Sequence, residues 1–375
     1  MIDKIKEAVG NAGNYKSYAG IIVVVILLAL VITYVVRQVK LDKENCKRID
    51  ALYTDFPIIS SINPNQTEYQ FMLRDYYVKT AYNCCAGGKY KNDYVNTCAL
   101  KACIKQGARC LDFEVYSVNG KPVVATSSVP SVDVKETYNS IDFTEAMNVV
   151  NEYAFSGSTC PNPKDPLILH FRIRSEHADI CDKMSTALYD TYGKSSRLLD
   201  KAYSNQYTID GSSYNLGAVP LPLLMGKVII IIDKGASTVF EGTKLNEYCN
   251  IASSSTIMRS IRNNHLVNIT SMDDEIEFNK KNMTITMPDI GPNDTNVSPT
   301  VHFSYGVQFV GMCFQSYDAN LESYNLKFDE IGHAFILQDQ KFRFIPVTIA
   351  PPTPQKAELS YANRKVSSDY YSFNM

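Results

Sequence analysis

Residues 19–36, "AGIIVVVILLALVITYVV", run for 18 positions without a charged side chain. As a helix the run would reach ~27 Å at 1.5 Å per residue, close to the thickness of a bilayer's hydrocarbon core. It is longer than the apolar part of a usual secretion signal, and Tyr34-Val35-Val36-Arg37 offers no small-x-small cleavage site. The expectation is a retained single-pass anchor at Ala19–Val36, making the membrane this chain's first partner.

Which side the rest of the chain occupies stays open. Lys4, Lys6 and Lys16 precede the run, and Arg37, Lys40, Lys43, Lys47 and Arg48 follow it. That excess weakly places the following residues in the cytoplasm. Against it stand five Asn-x-Ser/Thr triplets, at Asn65, Asn268, Asn282, Asn293 and Asn296, which matter only in a secretory lumen.

The remainder of the 375 residues is 45% apolar over the whole chain, enough for a large core, and the net charge of −2 gives no field to attract nucleic acid. Twenty-five tyrosines and no tryptophan suit core and interface packing. Five of the ten cysteines, Cys84, Cys85, Cys98, Cys103 and Cys110, fall close together without the spacing of a zinc site. Buried free thiols and a disulfide cluster are both open there.

Beyond the anchor, residues 37–56 carry apolar positions at helical spacing and read as a stalk helix, and "PIISSINPNQTEY" reads as a linker. Strand-like and helix-like segments then alternate. "YYVKTAY", "RCLDFEVYSV", "DPLILHFRI", "GKVIIIIDK", "VQFVGMCFQ" and "HAFILQD" are strands. "YVNTCALKACIKQGA", "SIDFTEAMNVVNEYAF" and "EHADICDKMSTALYDTYG" are helices. Ser140 or Asp142 is placed to cap the second of these helices. "NGKPVVATS" is a turn and a further strand. Val228–Ile232, five branched apolar residues, suits a strand buried on both faces of a parallel sheet. Repeated β-then-α units predict an α/β fold, a TIM-type (β/α) barrel preceded by one transmembrane helix. The expected divisions are an N-terminal tail 1–18, the span 19–36, stalk and linker 37–70, half barrels 71–205 and 206–349, and a Pro- and Tyr-containing strap or interaction tail 350–375.

The order of these segments resembles the catalytic barrel of phosphoinositide-specific phospholipase C. "ALKACIKQGARCLDFEVY" is similar to that family's helix and "GCRCVELDCW" strand, and "NGKPVV" to its "NGEPVV" turn. "FTEAMNVVNEYAF" followed by "DPLILHF" is similar to "FKDVIEAVNEYAF" followed by "YPVILSL". In the second half, "YGVQFVGMCFQSYDANLE" resembles "GCQLVALNFQTPGLAMD". The resemblance implies cleavage of an inositol-lipid phosphodiester by two histidines with a calcium ion on the phosphate. Such chemistry needs a proton acceptor titrating near neutrality and a Lewis acid at the developing charge.

The matching positions do not supply these groups. The family's "SSHNTYL" aligns with "KTAYNCC", putting Ala81 at the first histidine and Tyr82 at the calcium asparagine. "VVYHGHT" aligns with "VVATSSV", putting Thr126 at the second histidine. Asp112 and Glu114 keep the two calcium acids, and Arg172 replaces the glutamate of "LEN". "MPDIGPNDTNVSP" offers no arginine near the family's substrate-binding one. No histidine precedes His170. His170 and Arg172 share a strand face, expected to point into the barrel. The resemblance thus implies a degenerate site with no catalytic residue, vestigial calcium positions at Tyr82, Asp112, Glu114 and Arg172, and no cofactor. An ion pair is expected to fill the metal's place.

The expected function is a membrane-anchored pseudo-enzyme acting as a structural or interaction protein with protein partners in an assembly. A virion membrane of a large DNA virus fits the asparagine- and tyrosine-rich composition. The alternatives are an active phosphodiesterase rearranged around His170, for which calcium is the cofactor, and an inositol-lipid binder that does not hydrolyse. Some metal-free bacterial members of the family use an arginine in place of calcium, so Arg172 alone would not exclude activity.

Overall fold

The computed structural model of this protein describes residues 2–206, 208–209, 212–233, 238–346 and 363–374. Chain contacts divide it into two units, 1–343 and 344–375.

The first unit is built on eight parallel strands: β1 (Tyr76–Ala81), β2 (Cys110–Val118), β5 (Leu167–Ile173), β8 (Val228–Asp233), β9 (Ile251–Ser253), β10 (Met258–Arg262), β11 (Met283–Met287) and β12 (Phe309–Met312). They are hydrogen-bonded in the order β10-β11-β12-β1-β2-β5-β8-β9. This is a nearly closed α/β barrel, and among the described residues only β9 and β10 lack a ladder to each other. β13 (Phe335–Leu337) pairs antiparallel with β1. β3 (Lys121–Val124) folds back on β2, and β4 (Ile141–Asp142) pairs with β3. Asn119 and Gly120 make the tight β2–β3 turn, with φ of 52° and 68°. Paired left-handed residues give the turn the twist a two-residue hairpin needs. A short hairpin, β6 (Thr208–Ile209) with β7 (Ser212–Ser213), precedes β8.

Helices α2 (Thr97–Lys105), α3 (Phe143–Ala154), α4 (Asp179–Leu188), α5 (Lys244–Tyr248), α6 (Asn263–Val267), α7 (Met272–Lys281), α8 (Pro299–Ser304) and α9 (Ala319–Ile331) lie between the strands. Asp142, not Ser140, caps α3, accepting from the backbone N–H groups of Thr144 and Glu145. Every residue of Val228–Ile232 is buried, as the run of branched side chains predicts. Phe113 and Phe171 face outward and pack with each other, and Phe171 packs with Phe143 of α3. Their neighbours on the same strands therefore point into the barrel.

Helix α1 (Ile2–Leu52) is unbroken and includes one segment long and apolar enough to cross a membrane. Its far end differs from a free stalk. Ile49 and Tyr53 are buried, and the Tyr53 hydroxyl donates to the Phe314 carbonyl at 2.6 Å. Cys46 is disulfide-bonded to Cys98 of α2. The linker is docked too: Ile59 and Ile62 are buried, and the Ile62 N–H donates to Asp165 at 2.9 Å. Of the apolar positions in this segment, Ile49 and Tyr53 are buried while Val39, Leu52 and Phe56 stay exposed. Of the two readings open near residues 84–110, buried free thiols hold for Cys84, Cys85, Cys103 and Cys110, and Cys98 pairs outside the group.

Of the sequon asparagines, Asn65, Asn268 and Asn293 are exposed and Asn282 is half-buried. Asn296 is buried with its amide donating to the Cys313 and Ser316 carbonyls and to Asp318, so it cannot carry a glycan in the folded chain. Residues 350–362 of the expected tail lie outside the described residues; in the second unit β14 (Lys365–Ser367) and β15 (Ser372–Asn374) form a hairpin.

His177 and His265 are exposed, and His333 meets the Ser60 carbonyl. His302 is buried between Thr286 Oγ1, at 2.7 Å, and Asn263 Oδ1, at 3.0 Å. Burial lowers its pKa from 6.5 to about 4. The unfolded chain therefore binds more protons than the folded one within that window, and His302 costs stability as pH falls through it. The difference in unfolding free energy between wild type and His302→Gln should change between pH 6.5 and 4, by up to about 1.4 kcal/mol per pH unit. Urea melts across this range check it; a flat difference would show that His302 does not titrate there.

Candidate functional site

The carboxyl ends of the barrel strands bring the expected residues together. β2 and β5 are parallel with Asp112 opposite His170 and Glu114 opposite Arg172. All four point into the barrel and are buried. The Arg172 guanidinium lies between both acids. Its Nε and Nη2 donate to the two oxygens of Asp112 at 3.0 and 2.8 Å, and its Nη1 donates to Glu114 at 2.7 Å. Nη2 also donates to Asn83 Oδ1 at 2.6 Å. Arg174 adds a contact to Glu114 at 3.1 Å. The fork of an arginine matches two carboxylates well, and charge-assisted bonds of this kind are the strong ones.

Electrostatics follow from that geometry. Burial alone would raise the Asp112 carboxyl, but the Arg172 charge and the bonds from His170 and Arg172 outweigh it and hold the group well below the usual carboxylate range. Burial alone would lower Arg172, and the facing Asp112 and Glu114 instead hold it firmly charged.

Thr80 pairs with Cys110, and Ala81 with Leu111. Cys110 shares the inward face with Asp112, so Ala81 faces the helices and Tyr82 faces the lumen. The Tyr82 ring lies 4.8 Å from the Arg172 guanidinium, and its hydroxyl accepts from Arg262 at 3.0 Å. Asn83, in the left-handed region at φ 44°, turns its carboxamide oxygen onto Arg172 while its N–H donates to Asp112 at 3.0 Å. Ala81 thus faces away from the lumen, while Tyr82 and Asn83 meet Arg172. Thr126 lies buried with its hydroxyl donating to the Tyr90 carbonyl.

Asn83 and Arg262 went unread in the sequence. An asparagine directly after a strand, where a left-handed residue is tolerated, was the available signal for the first. Arg262 ends β10 and had none, since nothing local marks a strand's last residue as a mouth residue.

Gly311 of β12 makes room for Tyr82. A Cβ there would come within 3.2 Å of the Tyr82 Cβ and 3.1 Å of the Thr286 carbonyl oxygen. Gly311→Val should destabilise the fold by about 1–3 kcal/mol through overpacking. Thermal melts check it, and an unchanged midpoint would mean that Tyr82 does not pack as described.

Calcium, which the resemblance implies, does not fit these residues. Both Asp112 oxygens, one Glu114 oxygen and the Asn83 oxygen accept from one guanidinium, so the oxygens that would hold a cation already surround a cation. Among the described residues no group of three or more His, Cys, Asp and Glu side chains is placed to hold a metal ion.

The mouth above this cluster is closed. Tyr82, Tyr90, Ser127 and Gln315 are all buried, and Tyr90 contacts Cys313 Sγ at 2.9 Å. The loop after β3 folds over them, with Ser127 and Ser128 donating to Glu136, which pairs with Lys91 at 3.0 Å.

Eight parallel strands with the β2–β3 hairpin form a barrel that is phospholipase C-like in fold. Solved structures similar to this chain include PLC21 of L. pealei, with a TM-score of 0.59 at 18% identity over 74% of this chain. PLC21 of S. officinalis gives a TM-score of 0.59 at 17% identity over 77% of this chain. The match covers 38% and 39% of those two proteins, so this chain corresponds to well under half of either. At such identity the likeness concerns the fold. No protein-family model and no curated protein matches the sequence.

Proposed function

We propose that this chain is a membrane-anchored, phospholipase C-like barrel that does not hydrolyse lipid and serves as a structural or interaction protein. The observation that carries the reading is the Arg172 guanidinium set between Asp112 and Glu114. The Tyr82 ring packs on that guanidinium, and neither Tyr82 nor Thr126 carries the imidazole that the resemblance implies. The exposed apolar face of residues 19–36 supports the anchor. The Cys46–Cys98 disulfide supports an oxidising compartment for the barrel, against the weak excess of Lys and Arg after the span. We weigh the disulfide more, because a covalent pair depends directly on redox conditions. The tyrosine-rich composition supports an assembly such as the virion membrane of a large DNA virus, with protein partners there.

One observation favours a second reading. His170 Nδ1 lies 2.7 Å from Asp112, and its Nε2 lies 3.1 Å from the Ser253 hydroxyl. An acid, a histidine and a hydroxyl in line is an arrangement that activates nucleophiles. Here all three are buried with no exposed edge, which supports a satisfied interior chain of hydrogen bonds instead.

Phosphoinositide-containing vesicles incubated with the full chain, in calcium and in chelator, test the proposal. No release of soluble inositol phosphate is expected in either. Turnover that disappears in His170→Ala would overturn it and establish the second reading.

A further inference from the structure

Helix α1 fixes which end of the barrel faces the membrane. α2 follows the loop after β1, so it begins at the strands' carboxyl ends and runs back toward their amino ends. α1 runs beside it in the same direction. Asp42 accepts from Asn96, the cap residue of α2, Cys46 bonds Cys98 one turn later, and the Thr54 carbonyl meets Lys105 at the end of α2. Traced backward, the unbroken helix therefore leaves the barrel at its mouth. Val36, the end of the apolar run, lies six residues before Asp42, or ~9 Å beyond the start of α2.

The mouth loops reach that level. The Tyr34 and Tyr138 hydroxyls lie close together, and Tyr94 packs on Tyr138 with ring centroids 5.3 Å apart. Tyrosines at such a level mark a membrane–water interface. Val129, Val134 and Ile290 are exposed on loops at this same end.

Between α1 and the loop after β1 lies a cleft of about 380 Å³ lined by Arg37, Gln38, Arg48, Lys89, Asp93 and Asp294, among others. Arg48 is tied to the Gly87 carbonyl, and Asp93 to Asn45 and the Lys89 N–H. Arg37 and Lys89 are exposed, and neither forms an ion pair with a described residue. Gln38 Oε1 is buried in this region without a hydrogen-bond partner. Arg37 directly follows the apolar run, so the Arg37 end of the cleft lies at headgroup depth, in the ~5–8 Å polar layer of a bilayer leaflet.

We propose that this cleft binds a phospholipid headgroup of the bilayer holding α1, with the phosphate between Arg37 and Lys89. The inference rests on the anchor reading above. It is separate from the barrel interior, which Arg172 fills.

The test uses the full chain in vesicles of phosphatidylcholine containing spin-labelled phosphatidylglycerol or spin-labelled phosphatidylcholine. Flotation after an alkaline wash comes first. A chain left behind overturns the anchor reading and this site with it. In floated protein, the bound spin-label fraction should favour phosphatidylglycerol. Arg37→Ala/Lys89→Ala should reduce that preference by about fivefold per charge removed, roughly 25-fold in all. Lys164→Ala/Lys227→Ala, at the opposite end of the barrel, should leave it unchanged. An unchanged preference in the first pair, or equal losses in both, would overturn the site while leaving the anchor standing. Inorganic phosphate added in neutral detergent should not slow hydrogen exchange in residues 87–93; protection by phosphate alone would overturn the assignment to lipid.

Discussion

Arg172→Ala should lower the unfolding free energy by about 3–5 kcal/mol, the cost of leaving buried carboxylates without their cation. Asp112 and Glu114 are almost wholly buried, and the guanidinium supplies three of the bonds to their oxygens. Water cannot replace it without opening the mouth. Denaturant melts of wild type and variant at neutral pH measure the loss. Acid should narrow the gap. A carboxyl held below its ordinary value contributes stability that is present above the unfolded pKa and is lost as pH falls through the folded one. Asp112 is such a group, so the difference should shrink as pH falls below about 4, the usual carboxylate value. A variant within about 1 kcal/mol of wild type would mean that the acids find other partners, contrary to the geometry.

Loss of the Cys46–Cys98 bond should have the next largest effect. The two cysteines are 52 residues apart, and closing a loop of that length restricts the unfolded chain by about 4 kcal/mol on the chain-entropy account. Cys46→Ser should therefore cost about 2–4 kcal/mol. It should also loosen α1 where Ile49 and Tyr53 pack. Hydrogen exchange of residues 41–53 should accelerate more than that of β2 or β5. Equal acceleration throughout would mean that the bridge acts on the whole fold and does not fasten the helix in particular.

The sequence carried the barrel and its polar centre to different depths. Alternation on β5 placed His170 and Arg172 on one face, and the structure sets both against Asp112. β1 gave no such guide. Tyr76–Ala81 is buried along its whole length, so both faces carry residues that look internal and the pattern does not tell lumen from helix side. That is why the sequence did not show that Ala81 faces away from the lumen. The disulfide was hidden for another reason. Five cysteines close together left free thiols and a local cluster both open, whereas the partner of Cys98 lies on α1 and meets it only once that helix docks. Arg262 reaches Tyr82 across 180 residues, a contact set by barrel closure and not by any local motif.

The central claim is that a guanidinium, and not a metal ion, completes the acid pair of this barrel. Thermal unfolding of the full chain in calcium and in chelator tests it most directly, because an ion bound only by the folded state raises the midpoint in proportion to its occupancy. The midpoint should be the same in both conditions, for wild type and for Asp112→Asn/Glu114→Gln alike. A calcium-dependent rise in wild type that the double variant abolishes would show that Asp112 and Glu114 hold a cation after all.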